Sequence, residues 1–233
     1  MKAMVLHEIS NLADNRTPLR WEDRPDPSPG EGDILIKVTA CGVCHTELDE
    51  IEGRTPPPKF PIILGHQVVG NVVDAGAQAK RFATGDRVGV GWIFSACGRC
   101  KFCHLGKENL CAEFKATGRD ADGGYAEYMT VPEGFAYPIP EVFADVEAAP
   151  LFCAGAIGYR SLRLTGIRDG QRLGLTGFGA SAHLVLKMTR FRYANTRIYV
   201  FARSEKERDF AKELGAVWAG DTAEEPPEKL DCI

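Results

Sequence analysis

The sequence predicts a mixed fold in two parts: an antiparallel β-rich domain over residues 1–155 and a partial parallel α/β unit over 156–233. Three observations predict it. Short runs of alternating apolar and polar residues, cut by Pro- and Gly-rich turns, fill the first part. A polar loop within it, "CGRCKFCHLGKENLC", concentrates four cysteines. After Cys153 the pattern becomes strand, glycine turn and helix.

The β-rich part is carried by "DILIKV", "HQVVGNVVDAG", "DRVGVGW" and "YAEYMTV". Period-two alternation puts one face of each strand toward a core and the other toward solvent. "RPDPSPGEGD" and "RTPPPKFP" are the turns between them. In the second part, "QRLGLTGFGASAHLVLKMTR" reads as a strand running through a glycine turn into a helix. "TRIYVF" is the next strand, and "ARSEKERDFAKELGA" the next helix, with Ser204 and Glu207 spaced as a capping box.

Composition narrows the function. With 44% apolar residues a core is available. A net charge of -4 without a basic run argues against nucleic acid or an anionic membrane as the main partner. No segment approaches the roughly 20 apolar residues of a membrane helix, and no signal-peptide pattern opens the chain. A cytoplasmic protein is expected, whose cysteines bind metal or act in catalysis rather than forming disulfides.

The cysteine loop has the spacing C-x2-C-x2-C-x7-C at Cys97, Cys100, Cys103 and Cys111. Cysteines three apart on tight turns converge on a tetrahedral ion, and the longer interval lets the loop fold back to close the shell. Four protein ligands leave no position for water, which marks a structural zinc, in a lobe over about 95–113. The bacterial iron–sulfur run ends C-x3-C-P, whereas Ala112 follows Cys111 here. An acidic chain is also a poor candidate for a DNA-reading finger.

Cys41, Cys44, Cys153 and Cys232 remain, with His7, His45, His66, His104 and His183. Spacing does not join Cys44, His66 and Cys153, which read by themselves as a buried thiol, a core histidine and a helix cysteine. Their surroundings are more informative. "CGVCHTEL", "LGHQVVG", "FATGDRVGV", the four-cysteine lobe, "GGYAEYMTVP" and "CAGAIGY" jointly resemble the zinc-dependent alcohol dehydrogenases of the medium-chain dehydrogenase/reductase superfamily, across essentially the whole chain.

The resemblance implies a GroES-like antiparallel β-barrel catalytic domain followed by a partial Rossmann nucleotide-binding domain. It implies two zinc ions per chain, a catalytic one on Cys44, His66 and Cys153 and a structural one on the four-cysteine lobe. The implied reaction interconverts alcohols, small primary ones favoured, with aldehydes or ketones by hydride exchange with NAD(P). Thr46 matches the hydroxyl that accepts the alcohol proton. His45 matches a basic contact to the cofactor pyrophosphate, or is a solvated surface histidine. Trp92 matches a wall of the substrate pocket, or packs in the core. A small-molecule alcohol or aldehyde is the expected partner, and a full-length relative is expected to be a homo-oligomer.

The sequence departs from the family pattern in places. Gln67 stands where the family commonly has a glutamate beside the metal, and a neutral amide adds no negative charge there. Asp49 replaces a relay histidine, so the relay can end at this carboxylate, at the cofactor ribose or in water. Ile157 replaces a threonine that touches the nicotinamide. These changes bear on mechanistic detail rather than on reaction class.

Gly177, Gly179 and Ala182 form the G-x-G-x-x-A version of the dinucleotide fingerprint. Gly177 permits the tight turn and Gly179 lets the backbone approach a pyrophosphate at a helix N-terminus. NAD-binding versions carry an acidic residue at the end of the next strand. Here Ala202 takes that position, with Arg203 and Ser204 next, a pattern that favours the 2′-phosphate of NADP(H) over NAD(H). The chain ends at "PPEKLDCI", short of the family's later strands, and "LDCI" reads as the start of another strand. A truncated, non-catalytic zinc-binding relative is therefore the alternative to an enzyme.

Overall fold

A computed structural model describes residues 1–233. The chain divides into two compact units, Met1–Cys153 and Ala154–Ile233. The first unit contains, in order, β1 (Lys2–Leu6), β2 (Leu19–Asp23), β3 (Asp33–Gly42), α1 (His45–Ile51), β4 (Ile62–Ile63), β5 (Gln67–Ala75), β6 (Arg87–Val90), β7 (Ile93–Ser95), α2 (Lys101–His104), β8 (Lys115–Ala116), β9 (Tyr128–Pro132), β10 (Ala136–Pro138) and α3 (Asp145–Ala148). Five of these strands form an antiparallel sheet in the order β10-β6-β5-β3-β9, and β2-β1-β4 and β7-β8 form two smaller sheets.

Alternation builds the main core as the sequence expects. Ile34 and Ile36 of β3, Val88 and Val90 of β6, and Met129 and Val131 of β9 pack with Val68 and Val72 of β5. The expected antiparallel β domain is thus present, but its strands do not close into one barrel. The edge strands end on Pro132 and Pro138. A residue without an N–H cannot carry the ladder further, which is why proline collects at sheet edges.

The second unit holds α4 (Ala154–Thr165), β11 (Arg172–Thr176), α5 (Ala180–Arg192), β12 (Arg197–Phe201), α6 (Glu205–Glu213) and β13 (Trp218–Gly220). Its three strands are parallel in the order β11-β12-β13. β12 is central and reads as a near-continuous apolar run, as a strand covered on both faces must. Leu186, Ile198, Val200 and Ala211 pack in its core. The last residues pair on the other side of β11, through a parallel bridge between Leu173 and Cys232. Glu228 accepts hydrogen bonds from Arg197 and from the Tyr199 hydroxyl at 3.1 Å, and Asp231 accepts from Arg172 at 3.0 Å, so charge pairs hold this segment against the sheet.

Ile36 is fully buried in the five-stranded sheet, so Ile36→Ala removes methyl groups and leaves a cavity. The expected loss is about 2–5 kcal/mol, read from urea unfolding of variant and parent.

Candidate active site

Strand register brings the first two of the three separated residues together. β3 pairs antiparallel with β5 down to a last rung of Gly42 opposite Gln67. Cys44 lies two residues beyond one end of that rung and His66 one residue before the other. Gly65, at φ +99°, makes the left-handed turn that delivers His66, a conformation costly for any residue with a Cβ. Cys153 arrives from a different part of the unit, after α3 and the 3₁₀ turn Ala149–Phe152.

The three side chains converge. The Cys44 and Cys153 sulfurs are 3.7 Å apart, and the ligand atoms of Cys44, His66 and Cys153 all lie within 4.8 Å of one another. Two thiolates on a tetrahedral zinc, each about 2.3 Å from the ion, stand about 3.8 Å apart. Burial, and next the Cys44 sulfur, push the Cys153 thiol up to about 12. A raised thiol at Cys153, in contact with a second sulfur, ionises more readily once a cation joins them, so the donor set fits a dication.

Glu47 ties this cluster to α1. Its Oε2 accepts a hydrogen bond from the Cys44 backbone N–H at 2.7 Å, capping the first turn of the helix. Its Oε1 lies 2.6 Å from Nδ1 of the buried His66, off the line of the ring N–H. One carboxylate thereby holds two of the three converging residues, leaving Nε2 as the free ring nitrogen. A carboxylate behind a metal-ligating histidine is a common orienting device. Sequence reasoning missed Glu47, although a glutamate three residues after Cys44 is the spacing of a capping box.

The other expected residues fall into two groups. Thr46 Oγ1 is 3.6 Å from the Cys44 sulfur, and the Trp92 ring meets His66 edge-on at 5.1 Å between centroids. Gln67 is buried beside His66. His45 and Asp49 lie on the outer side of α1 instead, where Asp49 pairs with Arg54 and stands 3.7 Å from His45 Nε2.

The four cysteines of the loop also converge, with Cys100 and Cys103 sulfurs 3.5 Å apart and Cys97 and Cys103 sulfurs 3.9 Å apart. All four ligand atoms lie within 4.8 Å of one another. Backbone N–H groups of Arg99 and Cys100 lower the Cys97 thiol to about 7, while burial and the neighbouring thiols raise Cys103 to about 12.

In the second unit, Gly177 at φ +76° turns the chain from β11 toward α5, whose N-cap is Gly179. A Cβ at either glycine would meet nothing within 4 Å, so the approach to the α5 N-terminus is open. The Phe178 side chain points into the core instead. Ala182 packs against that same core. Ala202 is buried, Arg203 is exposed, and no acidic side chain pairs with Arg203. Arg208, by contrast, is occupied by the carbonyls of Ala202 and Arg203 at 2.8 and 3.0 Å. Ser204 is the N-cap of α6, but the expected capping box with Glu207 is absent; Ser204 is exposed, where water can compete for the free N–H groups.

Glu50, on the same helix as Glu47, is fully buried and neither oxygen has a hydrogen-bond partner. Burial, reinforced by the charge of Glu47 and opposed by Arg119, raises its carboxyl to about 8. The folded chain therefore holds a proton that the unfolded chain has released above about pH 4.5. This favours the folded state at low pH, and the benefit is lost as pH rises toward 8, at up to about 1.4 kcal/mol per pH unit. Glu50→Gln should flatten that decline in urea midpoints measured between about pH 5 and 8. Parallel curves for variant and parent would contradict the burial argument.

Comparison with known proteins bears on the family of the chain. Residues 30–141 match the alcohol dehydrogenase GroES-like domain family. The probable alcohol dehydrogenase AdhA of Mycobacterium tuberculosis is 47% identical over 211 residues, covering 88% of this chain and 60% of that protein. A Sinorhizobium meliloti 1021 protein, described as a zinc-binding dehydrogenase and solved bound to NADP, superposes with a TM-score of 0.82 at 33% identity, over 94% of this chain and 61% of its own. An Escherichia coli CFT073 alcohol dehydrogenase solved with NADH gives a TM-score of 0.85 at 26% identity, over 97% of this chain and 64% of its own. The chain thus spans about three-fifths of the length of these relatives, and it belongs to the zinc-type alcohol dehydrogenases of the medium-chain dehydrogenase/reductase superfamily.

Proposed function

We propose that this chain forms the metal-binding and part of the nucleotide-binding machinery of an alcohol dehydrogenase that interconverts small primary alcohols and their carbonyl products with NADP(H). The observation that carries the reading is the contrast between two clusters in one unit. Cys97, Cys100, Cys103 and Cys111 make a closed four-sulfur set, whereas Cys44, His66 and Cys153 make a set of three that leaves a fourth position for water or substrate. The first would hold a structural zinc and the second a catalytic one.

Zinc at the three-ligand site would supply a Lewis acid that acidifies an alcohol and polarises a carbonyl. The protein's own groups do the rest. Glu47, against Nδ1 of His66, would orient the ring. The Thr46 hydroxyl, beside the Cys44 sulfur, would accept the alcohol proton while passing its own onward toward solvent. Asp49, with His45 3.7 Å away, offers an end for the relay on the outer side of α1. The indole of Trp92 narrows the site beside His66 and favours slender alcohols. Gln67, neutral and buried, leaves the ligand set without the extra negative charge a glutamate would bring.

For the cofactor, the open N-terminus of α5 suits a pyrophosphate. Relatives have been solved with NADP and with NADH, so the preference rests on this chain's own residues. Ala202 offers no carboxylate to a ribose 2′-hydroxyl, and Arg203 beside it is an unengaged guanidinium suited to a 2′-phosphate, with Ser204 adjacent.

Titrating NADPH and NADH into the zinc-loaded chain and following nicotinamide fluorescence tests this reading. NADPH should bind at least about tenfold more tightly, and Arg203→Ala should remove most of that difference. Equal binding of the two nucleotides would contradict the preference. Zinc and nucleotide binding without NADP⁺ reduction by any primary alcohol would favour the non-catalytic alternative.

A further inference from the structure

β6 has two faces with different work. Val88 and Val90 are fully buried in the core of the five-stranded sheet. Strand alternation turns Arg87 and Gly89, and Gly91 beyond the strand end, to the opposite side. That side carries the segment 139–152, which ends at Cys153. Arg87 Nε donates to Asp145 Oδ1 at 2.7 Å, Nη2 to the Phe143 carbonyl at 2.7 Å, and Nη1 to the Pro140 carbonyl at 3.4 Å. A Cβ on Gly89 would stand 2.0 Å from two ring atoms of Phe152, and one on Gly91 would stand 2.9 Å from the Phe152 carbonyl oxygen. Two alternate positions of β6 and the residue just past its end therefore grip one segment along its length. The last of them touches the residue immediately before Cys153.

We propose that the outward face of β6, through Arg87, Gly89 and Gly91, positions Cys153 for metal binding. This rests on the reading of Cys44, His66 and Cys153 as a metal site. The other two members, Cys44 and His66, are delivered by the β3–β5 ladder and by Glu47. Cys153 has no such ladder. Its backbone N–H reaches only the Pro150 carbonyl at 3.2 Å, within its own turn. Its place relative to Cys44 follows from the packing of this segment on the sheet, where Ala148, Ala149 and Phe152 meet Val69 and Ala40, and from how closely Phe152 and its carbonyl approach β6. Gly89 and Gly91 keep that approach short, and Arg87 anchors the start of the segment. Gly89, Gly91 and Arg87 are positioning residues, since they act through Cys153.

The test is zinc binding to the full chain, with metal content per chain and competition by a chromophoric chelator as readouts. Parent protein should bind two zinc ions. Gly89→Ala should keep the ion of the four-cysteine loop and lower affinity at the three-ligand site at least tenfold. The contacts at Gly89 are to the far atoms of the Phe152 ring, so Gly89→Ala combined with Phe152→Leu should restore affinity to within about threefold of the parent. Arg87→Lys keeps the charge but loses the fork that holds Asp145 and the Phe143 carbonyl, and it should weaken the same site selectively even if Gly89→Ala does not fold. Parental affinity at both sites in Gly89→Ala and Arg87→Lys would overturn the positioning role while leaving the metal site standing. A parent chain that binds one zinc, or a Cys153→Ser chain with unchanged affinity for two, would overturn both.

Discussion

The last rung of the β3–β5 ladder is the constraint on which the candidate site depends. Gly42 opposite Gln67 puts Cys44 and His66 next to one another although 21 residues of chain intervene. A slip of one residue in this pairing would turn every side chain of one strand to the other face and part Cys44 from His66. The core prevents it, because the same register buries Ile34 and Ile36 of β3 with Val68 and Val72 of β5. Hydrophobic alternation and the convergence of Cys44 with His66 are thus two consequences of one alignment, and one Glu47 carboxylate adjoins both the Cys44 backbone and the His66 ring.

The electrostatics around the rung run against the usual economy of a protein interior. Buried here are two carboxylates on one helix, a histidine and a half-buried pair of touching thiols. Without a cation Glu50 and Cys153 gain by staying protonated, because burial raises both. A dication reverses that preference for the sulfurs, which makes metal affinity and proton release two sides of one equilibrium. The four-cysteine loop meets the same problem differently. There backbone N–H groups already stabilise one thiolate, at Cys97, so ionisation begins before any metal arrives.

How much of this was legible in the sequence follows from the range of the interactions. The four-cysteine cluster could be read directly, because its members lie within 15 residues and local turns bring them together. Cys44, His66 and Cys153 could not be joined by spacing, since strand register and the packing of a separate segment on the sheet unite them; only a resemblance of motifs linked them. The strands of the first unit were legible from alternation, but whether they closed into a barrel was not, because closure depends on where the edges stop. The capping-box rule gives an instructive pair. Ser204 and Glu207 fit it and do not form it, since water can serve the exposed helix start. Cys44 and Glu47 lack its usual serine or threonine, yet Glu47 caps the helix from a buried position where water does not compete. Spacing proposes such contacts, and burial decides them.

Substituting cobalt for zinc tests the central claim, one closed site and one open one, most directly. Both sites should show visible absorption from tetrahedral cobalt with sulfur ligands, two ions per chain. Adding imidazole should shift the bands of one ion, the one held by Cys44, His66 and Cys153 with a free position, and leave those of the four-thiolate ion unchanged. A single cobalt per chain, or two whose spectra ignore an added ligand, would contradict the account.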